Sequence, residues 1–464
     1  MTARVSTRAR PPEQDVDDYG LHWDGTRRVP LGGGWMAVLL AGTATAGITY
    51  RGPDGVSRTE LPAKVKTGSA GKLAALRTEV KAVRAAIARE RAHIDGLLIA
   101  HQSWDLAAWR KRYLDHPVAG RLARGLIWEF RHGDEAVVTG VPQDGPAPYD
   151  KWLLTSAGSV APLPHDGEVR LWHPVSARPD EVGAWRDLFL GWQMPQPVRQ
   201  AFREVYMPTT EDLRTRDYST RLAGHVFRQK EARTLMKGRG WTAVPASARD
   251  DGNARREFAA AGLRAELYFD PASDDISDSG LYAYVVSGQI RFCTLSSGAT
   301  VPLAEVPPLV FTEAMRDADL FLGATSIGAD AEWLDHGGSR RFGSVYWHRF
   351  GFGELNSSAE IRREVLQRLL PGLTIMDRCT LMERFLHVRG DVRTYRIHLN
   401  SGNILMAPSN RYLRIVTARH PQMAKVVLPF DDDRVLTAIL SKAFLLAADT
   451  ELTDPSVTDQ IGRP

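Results

Sequence analysis

Apolar residues in the first hundred positions change from a strand-like to a helix-like spacing. Branched or alternating runs occur at Trp35 to Leu40 and at Gly47 to Arg51, and glycine-rich turns follow them, a pattern typical of β-hairpins. From Leu73 to Leu97 the apolar residues fall three or four positions apart, and only Glu90 interrupts the stripe. The chain is therefore predicted to start with a small β unit followed by a long, heptad-like helix.

The apolar stripe of this helix needs an apolar partner, because a helix this long gains most of its stability from packing. One interpretation places the partner in the same chain, at Asp105 to Phe130. The other is a coiled coil with a second chain. The same helix carries a row of basic residues that either faces solvent or lies along a phosphate backbone: Arg77, Lys81, Arg84, Arg89 and Arg91.

The rest of the chain mixes strand and helix patterns without regular alternation. Strand signals follow Trp241, and a helix is predicted after the Pro307-Pro308 step. Four short strand signals between Phe385 and Val416 precede an amphipathic helix at Asp432 to Ala447. The predicted fold class is therefore α+β, with a β-rich C-terminal unit closed by a helix.

Polar and turn-forming segments predict the domain boundaries. Residues 1–18 are almost free of apolar side chains and are predicted to be a disordered tail. The main region is expected at 19–372, with a sub-boundary near 133–165 where Gly, Pro and Asp accumulate. The β-rich C-terminal domain is expected at 373–454, and a flexible tail at 455–464.

Composition limits the class of protein. Of the 464 residues, 43% are hydrophobic and 25% are charged, values typical of a globular chain with several domains. No apolar run is long enough to span a bilayer, so no membrane partner is expected. Two cysteines are too few for a disulfide framework, which favours the cytoplasm. The net charge of +4 is compatible with nucleic acid as a partner.

The usual catalytic and metal-binding motifs are missing from the sequence. There is no phosphate-binding glycine loop and no nucleophile elbow, and the histidines do not fall at metal-ligand spacing, so no metal site is predicted and any cofactor is unknown. Ser401 to Leu405 is similar to a kinase catalytic loop, but His398 stands where the catalytic aspartate belongs. The segment is instead interpreted as a hairpin turn.

The best polar cluster for a site lies on the helix after the proline step. Glu313, Arg316 and Asp317 share this helix, and Arg203 and Glu204 lie in an aromatic-flanked segment that we expect to pack beside it. The cluster is either a structural ion-pair network, with Arg203 as the expected partner, or a catalytic site. His398 and Asn403 are two further catalytic candidates, and Arg203 and Glu204 are candidate binding residues.

The chain also resembles a known family over nearly its whole length from about Tyr19. The residues that resemble MolR-type bacterial proteins with domain of unknown function 4132 are His173-Pro174, Trp185-Arg186, Phe202 to Tyr206, Gly240-Trp241 and Thr312 to Asp317. The segments that resemble the C-terminal domain of those proteins, also of unknown function, are Phe385 to Asp391, Thr394 to Leu399, Ser401 to Met406 and Ile439 to Leu446. The resemblance implies no established activity or catalytic residue.

Three functional hypotheses follow from the sequence. The first is a noncatalytic regulatory or interaction component of a larger bacterial assembly with a protein partner, because no catalytic constellation is complete and Trp and Arg are abundant. The second is an enzyme of undescribed class that acts on a nucleotide or nucleic acid. The third is a nucleic-acid-binding accessory protein that uses the basic helix.

Overall fold

The chain forms an α+β fold, as predicted. The computed structural model describes residues 19–100, 102–133, 137–144, 151–247, 251–272, 276–278, 280–326, 351–415, 419–430 and 433–462, so the tail predicted at 1–18 lies outside the described residues. The described residues fall into two compact units, the first within Met1–Phe202 and Leu428–Asp431, the second within Arg203–Val427 and Asp432–Pro464. In the described part, no helix has the length and apolarity needed to cross a bilayer.

Unit 1 contains two antiparallel sheets and helices that cover them. The first sheet has the order β1 (Thr26–Pro30), β2 (Met36–Ala41), β3 (Ala46–Arg51) and β4 (Ser57–Arg58). The second has the order β5 (Ser103–Asp105), β10 (Glu168–Leu171), β6 (Trp128–Arg131), β7 (Val138–Asp144), β8 (Lys151–Leu154) and β9 (Val160–Pro162). The helices are α1 (Ala63–Gly68), α2 (Ala70–Ala100), α3 (Leu106–Trp109), α4 (Ala119–Ala123) and α5 (Pro179–Gly191).

Helix α2 is the predicted long helix, and its apolar stripe is buried within this chain. Val83 and Ile94 are fully buried in a core that also holds Trp109 and Leu122, in agreement with the same-chain interpretation. The helix also packs on β2 and β3, a sheet partner that its spacing did not indicate. Glu90, the interruption of the stripe, accepts a hydrogen bond of 3.0 Å from Arg112 Nη2.

Unit 2 begins with a sheet in the order β11 (Tyr218–Ser219), β16 (Tyr284–Thr294), β15 (Leu263–Pro271), β14 (Gly252–Phe258) and β13 (Thr242–Val244), and β12 (Val226–Arg228) also pairs with β16. Its helices are α6 (Thr210–Thr215), α7 (Gln229–Gly238) and α8 (Pro308–Thr325). Helix α8 packs on α7 and β12. Of its 18 residues 13 are buried, so nearly every side of α8 faces protein.

The C-terminal part of unit 2 is a second sheet closed by a helix, as predicted. Its strands follow chain order: β17 (Cys379–Met382), β18 (Phe385–Arg389), β19 (Thr394–His398), β20 (Ile404–Ala407) and β21 (Arg411–Leu413). The helices are α9 (Ser357–Leu369), α10 (Arg434–Ala447) and α11 (Pro455–Ile461). Helix α10 packs on β18 and β19.

Two features of this part differ from the sequence-based expectation. Strand β17 was not predicted, because its four residues carry no clear alternation before they pair with β18. The segment expected to be a flexible tail contains α11, in which Val457 and Ile461 are buried. The apolar spacing of these two residues, four positions apart, is a helical signal too short to stand out in a polar segment.

Asp449 fastens the turn between β18 and β19 to the end of α10. Its carboxylate accepts hydrogen bonds from the backbone N–H groups of Asp391, at 2.8 Å, and of Arg393, at 3.1 Å, and from the Tyr395 hydroxyl, at 2.7 Å. A Cβ atom on Gly390 would lie 2.4 Å from Asp449 Oδ2, so this close approach requires glycine.

Candidate functional site

The candidate site is built on helix α8, which begins where the proline step predicts. Pro308 occupies the first turn, where a missing N–H costs no hydrogen bond, and Pro307 is extended. Apolar residues such as Phe311 and Met315 bury much of the helix surface. The polar side chains of α8 are therefore carried into the interior, where each needs a partner.

Arg203 and Glu313 form the centre of the site. The Arg203 Nε–Glu313 Oε1 distance is 2.7 Å and the Arg203 Nη2–Glu313 Oε2 distance is 2.6 Å, a two-point contact between side chains that are both fully buried. Parallel hydrogen bonds of this kind are strong and fix the orientation of both groups. The sequence predicted Arg203 as the partner of the cluster Glu313, Arg316 and Asp317, and the structure pairs it with Glu313.

Arg316 pairs with the second residue of the aromatic-flanked segment. Its Nε atom donates to Glu204 Oε2 at 2.8 Å, and Ser358 Oγ donates to the other carboxylate oxygen at 3.1 Å. In the part of the chain that the structure describes, Arg316 Nη1 is buried without a hydrogen-bond partner. One polar atom of the site is therefore left unsatisfied, at a residue that is only 8% exposed.

Asp317 faces away from this pair and holds the sheet side of the unit. Arg239 Nε donates to Asp317 Oδ1 at 2.5 Å, and Trp241 Nε1 donates to Oδ2 at 2.8 Å. Arg256, on β14, also forms an ion pair with Oδ2. The fully buried carboxylate thus joins α8 to the loop after α7 and to the neighbouring strand.

Asp319 completes the network and carries an altered pKa. The Tyr206 hydroxyl donates to Asp319 Oδ2 at 2.7 Å, and Asn356 Nδ2 donates to both carboxyl oxygens at 3.0 Å. Burial raises the pKa of Asp319, and the nearby charge of Glu204 adds to the rise. Burial and the Asp319 charge also raise the pKa of Tyr206 well above its ordinary value.

The network is close to electrically balanced. Within the described residues the four arginines Arg203, Arg239, Arg256 and Arg316 form ion pairs with three carboxylates, Glu204, Glu313 and Asp317, whereas the fourth carboxyl group, Asp319, is held by the neutral side chains of Tyr206 and Asn356. A buried set of this size is tolerated because each arginine has an opposite charge beside it and Asp319 is hydrogen-bonded. Such paired groups mainly hold elements together. Asp319 differs from them, because burial favours its protonated form.

His398 and Asn403 lie away from α8, at the turn between β19 and β20. His398 Nε2 is 2.9 Å from the Gly353 carbonyl oxygen, and Nδ1 is 3.1 Å from Ser401 Oγ. Burial lowers the pKa of His398, so the ring is neutral near pH 7. Asn403 Nδ2 donates to the Gly351 carbonyl at 3.4 Å. The turn is a hairpin, as the sequence predicted.

The basic row of α2 makes several contacts within the chain. Arg84 Nε donates to the Ala46 carbonyl at 2.7 Å, and Arg91 Nε donates to the Pro197 carbonyl at 2.5 Å. Arg89 Nη2 donates to the Tyr19 hydroxyl at 3.1 Å. Three of the five basic side chains, for which the sequence left solvent and a phosphate backbone as alternatives, therefore make contacts within the chain.

Several residues of the network were missed from the sequence. Asp319 lies three positions after Arg316 on α8, a helical spacing that could have found it. Arg239, Arg256 and Asn356 carry no comparable signal, because each reaches the network from an element remote in the chain.

In the described residues, no group of three or more His, Cys, Asp or Glu side chains could hold a metal ion.

The chain is thus an α+β protein of two units, and the second unit contains the buried ionic network. Residues 55–241 match the family model described as Domain of unknown function (DUF4132), and residues 359–461 match the model described as Domain of unknown function (DUF7737). These matches confirm that the chain carries a DUF4132 domain and a separate C-terminal domain of unknown function. Neither the curated proteins nor the solved structures contain a match to this chain.

Proposed function

We propose that this protein is a noncatalytic interaction component of a larger bacterial assembly, and that it is related to MolR-type proteins. The observation that carries the proposal is the mutual pairing of the candidate catalytic side chains. Glu313 is fully buried against Arg203, and Asp317 is fully buried against Arg239 and Arg256. A general acid or base has to reach a proton of the substrate, which these paired groups are poorly placed to do.

The second pair of candidates supports the same proposal. His398 contacts the Gly353 carbonyl and Ser401, and Asn403 contacts the Gly351 carbonyl, so both side chains hold the β19–β20 turn. We also propose that the protein acts in the cytoplasm. This location is supported by Cys293 and Cys379, which are both free thiols, as is common in reducing compartments.

An exposed tryptophan in unit 1 offers a surface for a protein partner. Trp192 follows α5 and is 56% exposed, and Val160 on the edge strand β9 is 64% exposed. The turn before β9 lies beside the ring, because a Cβ atom on Gly158, two residues before Val160, would lie 3.8 Å from the Trp192 ring. Exposed aromatic residues of this kind are frequent energetic anchors of protein interfaces.

The proposal is tested by capturing partners with the full chain as bait, followed by mass spectrometry. The Trp192→Ala variant should lose a partner that wild type retains, while its thermal melt stays unchanged because the ring is exposed. Leu213→Ala is the matched control, since Leu213 is 51% exposed and lies in unit 2. Equal recovery of every partner by wild type and Trp192→Ala would remove this surface from the proposal.

An enzyme that acts on a nucleotide is the second candidate function. It is favoured by Arg316 Nη1, a buried donor without a hydrogen-bond partner among the described residues, near the protonation-prone Asp319. If Arg316 receives a phosphate group, nucleotides should raise the melting temperature of wild type by mass action, and Arg316→Gln should abolish the shift. No shift with any nucleotide favours the interaction component.

A further inference from the structure

The outer face of the C-terminal sheet differs in chemistry from the face that packs under α10. Register places His387 opposite Arg396, Arg396 opposite Leu405, and Leu405 opposite Tyr412. We call the set of Phe385, His387, Arg389, Arg396, Tyr412 and Arg414 the outer-face platform. Arg389 and Arg414 are exposed and the other four are half-buried, so they form a surface rather than a core.

Aromatic rings form a row along this face of the sheet, in which His398 is fully buried and its neighbours are half-buried. The Phe385 and His398 ring centroids are 5.2 Å apart, those of His398 and Phe352 are 6.0 Å apart, and those of Phe352 and Tyr412 are 6.2 Å apart. The Arg396 guanidinium lies 5.4 Å from the Phe385 ring centroid at one end. At the other end the Arg414 guanidinium lies 5.9 Å from the Tyr412 ring centroid.

The outer face carries positive charge that carboxylates do not neutralise. The strand positions that share this face contain no Asp or Glu: Thr380, Met382, Phe385, His387, Arg389, Thr394, Arg396, His398, Leu405, Ala407 and Tyr412. Arg389, Arg396 and Arg414 form no ion pair with a carboxylate in the described residues. Arg396 instead donates to the neutral side chain of Asn410.

We propose that the outer-face platform binds single-stranded nucleic acid, with bases stacked on Phe385, His387 and Tyr412 and phosphates held by Arg389, Arg396 and Arg414. Aromatic rings interleaved with arginines on an open sheet suit unpaired bases, whose flat faces a duplex hides. Charge complementarity selects a polyanion. The inference concerns a surface remote in sequence from Trp192 and does not depend on the proposed function.

The protonation state of His387 agrees with this role. Burial lowers the pKa of His387, and the positive charge of the facing Arg396 lowers it further. The ring is therefore neutral near pH 7 and stacks as an uncharged aromatic group. The Tyr412 ring is also oriented, because its hydroxyl donates to Asn403 Oδ1 at 3.4 Å.

Binding is measured on the full chain by fluorescence anisotropy, with labelled single strands of about 16 nucleotides, the upper site size of common single-strand modules. RNA and DNA strands of the same sequence form two arms, and the tighter arm identifies the natural ligand. A duplex and an abasic strand of equal length are the comparison probes. Both should bind at least about five-fold more weakly, because neither presents stackable bases.

Two double variants with the same loss of charge locate the site. Arg396→Gln/Arg414→Gln should weaken binding roughly five-fold or more and reduce the salt slope by about 1.4, the value for two phosphate contacts of a single strand. Arg77→Gln/Lys81→Gln, on the exposed side of α2, should leave both quantities within about two-fold of wild type. Circular dichroism verifies that each variant is folded.

Three results would overturn the inference. Undetectable saturable binding excludes a nucleic-acid platform, and equal binding of the abasic strand reduces the interaction to phosphate attraction without stacking. A larger loss in the α2 variant than in the sheet variant moves the site to helix α2. In each case the partner capture with Trp192→Ala is unaffected, so failure here is distinguishable from failure of the proposed function.

Discussion

The α8 network and the outer-face platform use the same residue type in opposite ways. Arg203 is fully buried and makes a two-point contact with Glu313, so its charge is cancelled where it stands. Arg414 is exposed and lies over the Tyr412 ring without a carboxylate partner among the described residues. Arginine abundance alone is therefore uninformative about function, whereas the presence or absence of a paired carboxylate separates structural from available charge.

The difference has a physical basis in the cost of burying charge. A buried guanidinium without a partner is costly, so the interior selects balanced pairs. At a half-exposed sheet face, water solvates the guanidinium group. An arginine without a carboxylate partner therefore lowers stability only slightly there.

The largest effect is expected for Arg203→Met in the centre of the network. The substitution leaves the buried Glu313 carboxylate without its partner, which should reduce the free energy of unfolding by about 3–5 kcal/mol. Urea denaturation measures the change. The double variant Arg203→Met/Glu313→Leu should recover most of the loss, since an apolar pair restores balance. A single variant as stable as wild type would contradict a structural network.

Arg316→Ala should have a smaller effect, about 1–3 kcal/mol. It removes the 2.8 Å bond to Glu204, but Ser358 still donates to that carboxylate, and the truncation also removes the unsatisfied Nη1 atom. Arg77→Ala, at an exposed position of α2, serves as the control in thermal melts. Unchanged or increased stability of Arg316→Ala would indicate a functional site, because such sites are often held at the expense of stability.

Asp319→Asn should change the pH dependence of stability. Because burial raises the folded-state pKa of Asp319 above its ordinary 3.8, its contribution is fully present below that value and is lost as pH rises through the folded pKa. The variant should therefore gain stability relative to wild type across that window, by about 1.4 kcal/mol for each unit of pKa shift. Unfolding curves between about pH 4 and 8 measure the difference. A difference that is constant with pH would refute the raised pKa.

The smallest effect on stability is expected on the platform. Arg396→Gln and Arg414→Gln should each change the free energy of unfolding by only about 0.5 kcal/mol, because neither breaks an ion pair. The same variants are expected to weaken nucleic-acid binding. Substitutions on the platform should therefore reduce binding with little loss of stability, whereas substitutions in the α8 network should mainly reduce stability. A loss of several kcal/mol in either single variant, measured by urea denaturation, would erase the contrast with Arg203.

Local pattern was enough to predict much of the secondary structure. The stripe from Leu73 to Leu97 predicted helix α2, and the proline step predicted where α8 begins. The C-terminal sheet and its closing helix also followed from short alternating runs and one amphipathic segment. These signals work because the spacing of side chains along a helix or strand is a property of neighbouring residues.

Local pattern did not predict most contacts between residues that are far apart in the chain. The sequence suggested Arg203 as a partner of the cluster that contains Glu313, 110 positions away, because the proline step could bring the start of the helix close to the segment that carries Arg203. It did not suggest Arg239 or Arg256 for Asp317, nor Tyr206 and Asn356 for Asp319, because those contacts depend on how α8 packs against other elements.

What the sequence by itself determined is the α+β class, the long helix, the α8 helix with its charged residues and the β-rich C-terminal part. What only the tertiary structure decided is which charges are cancelled and which remain. The sheet under α2, the closed network around α8 and the carboxylate-free outer face are results of packing. Periodicity is encoded within a few residues, whereas the partner of a charge is set by the elements that packing brings beside it.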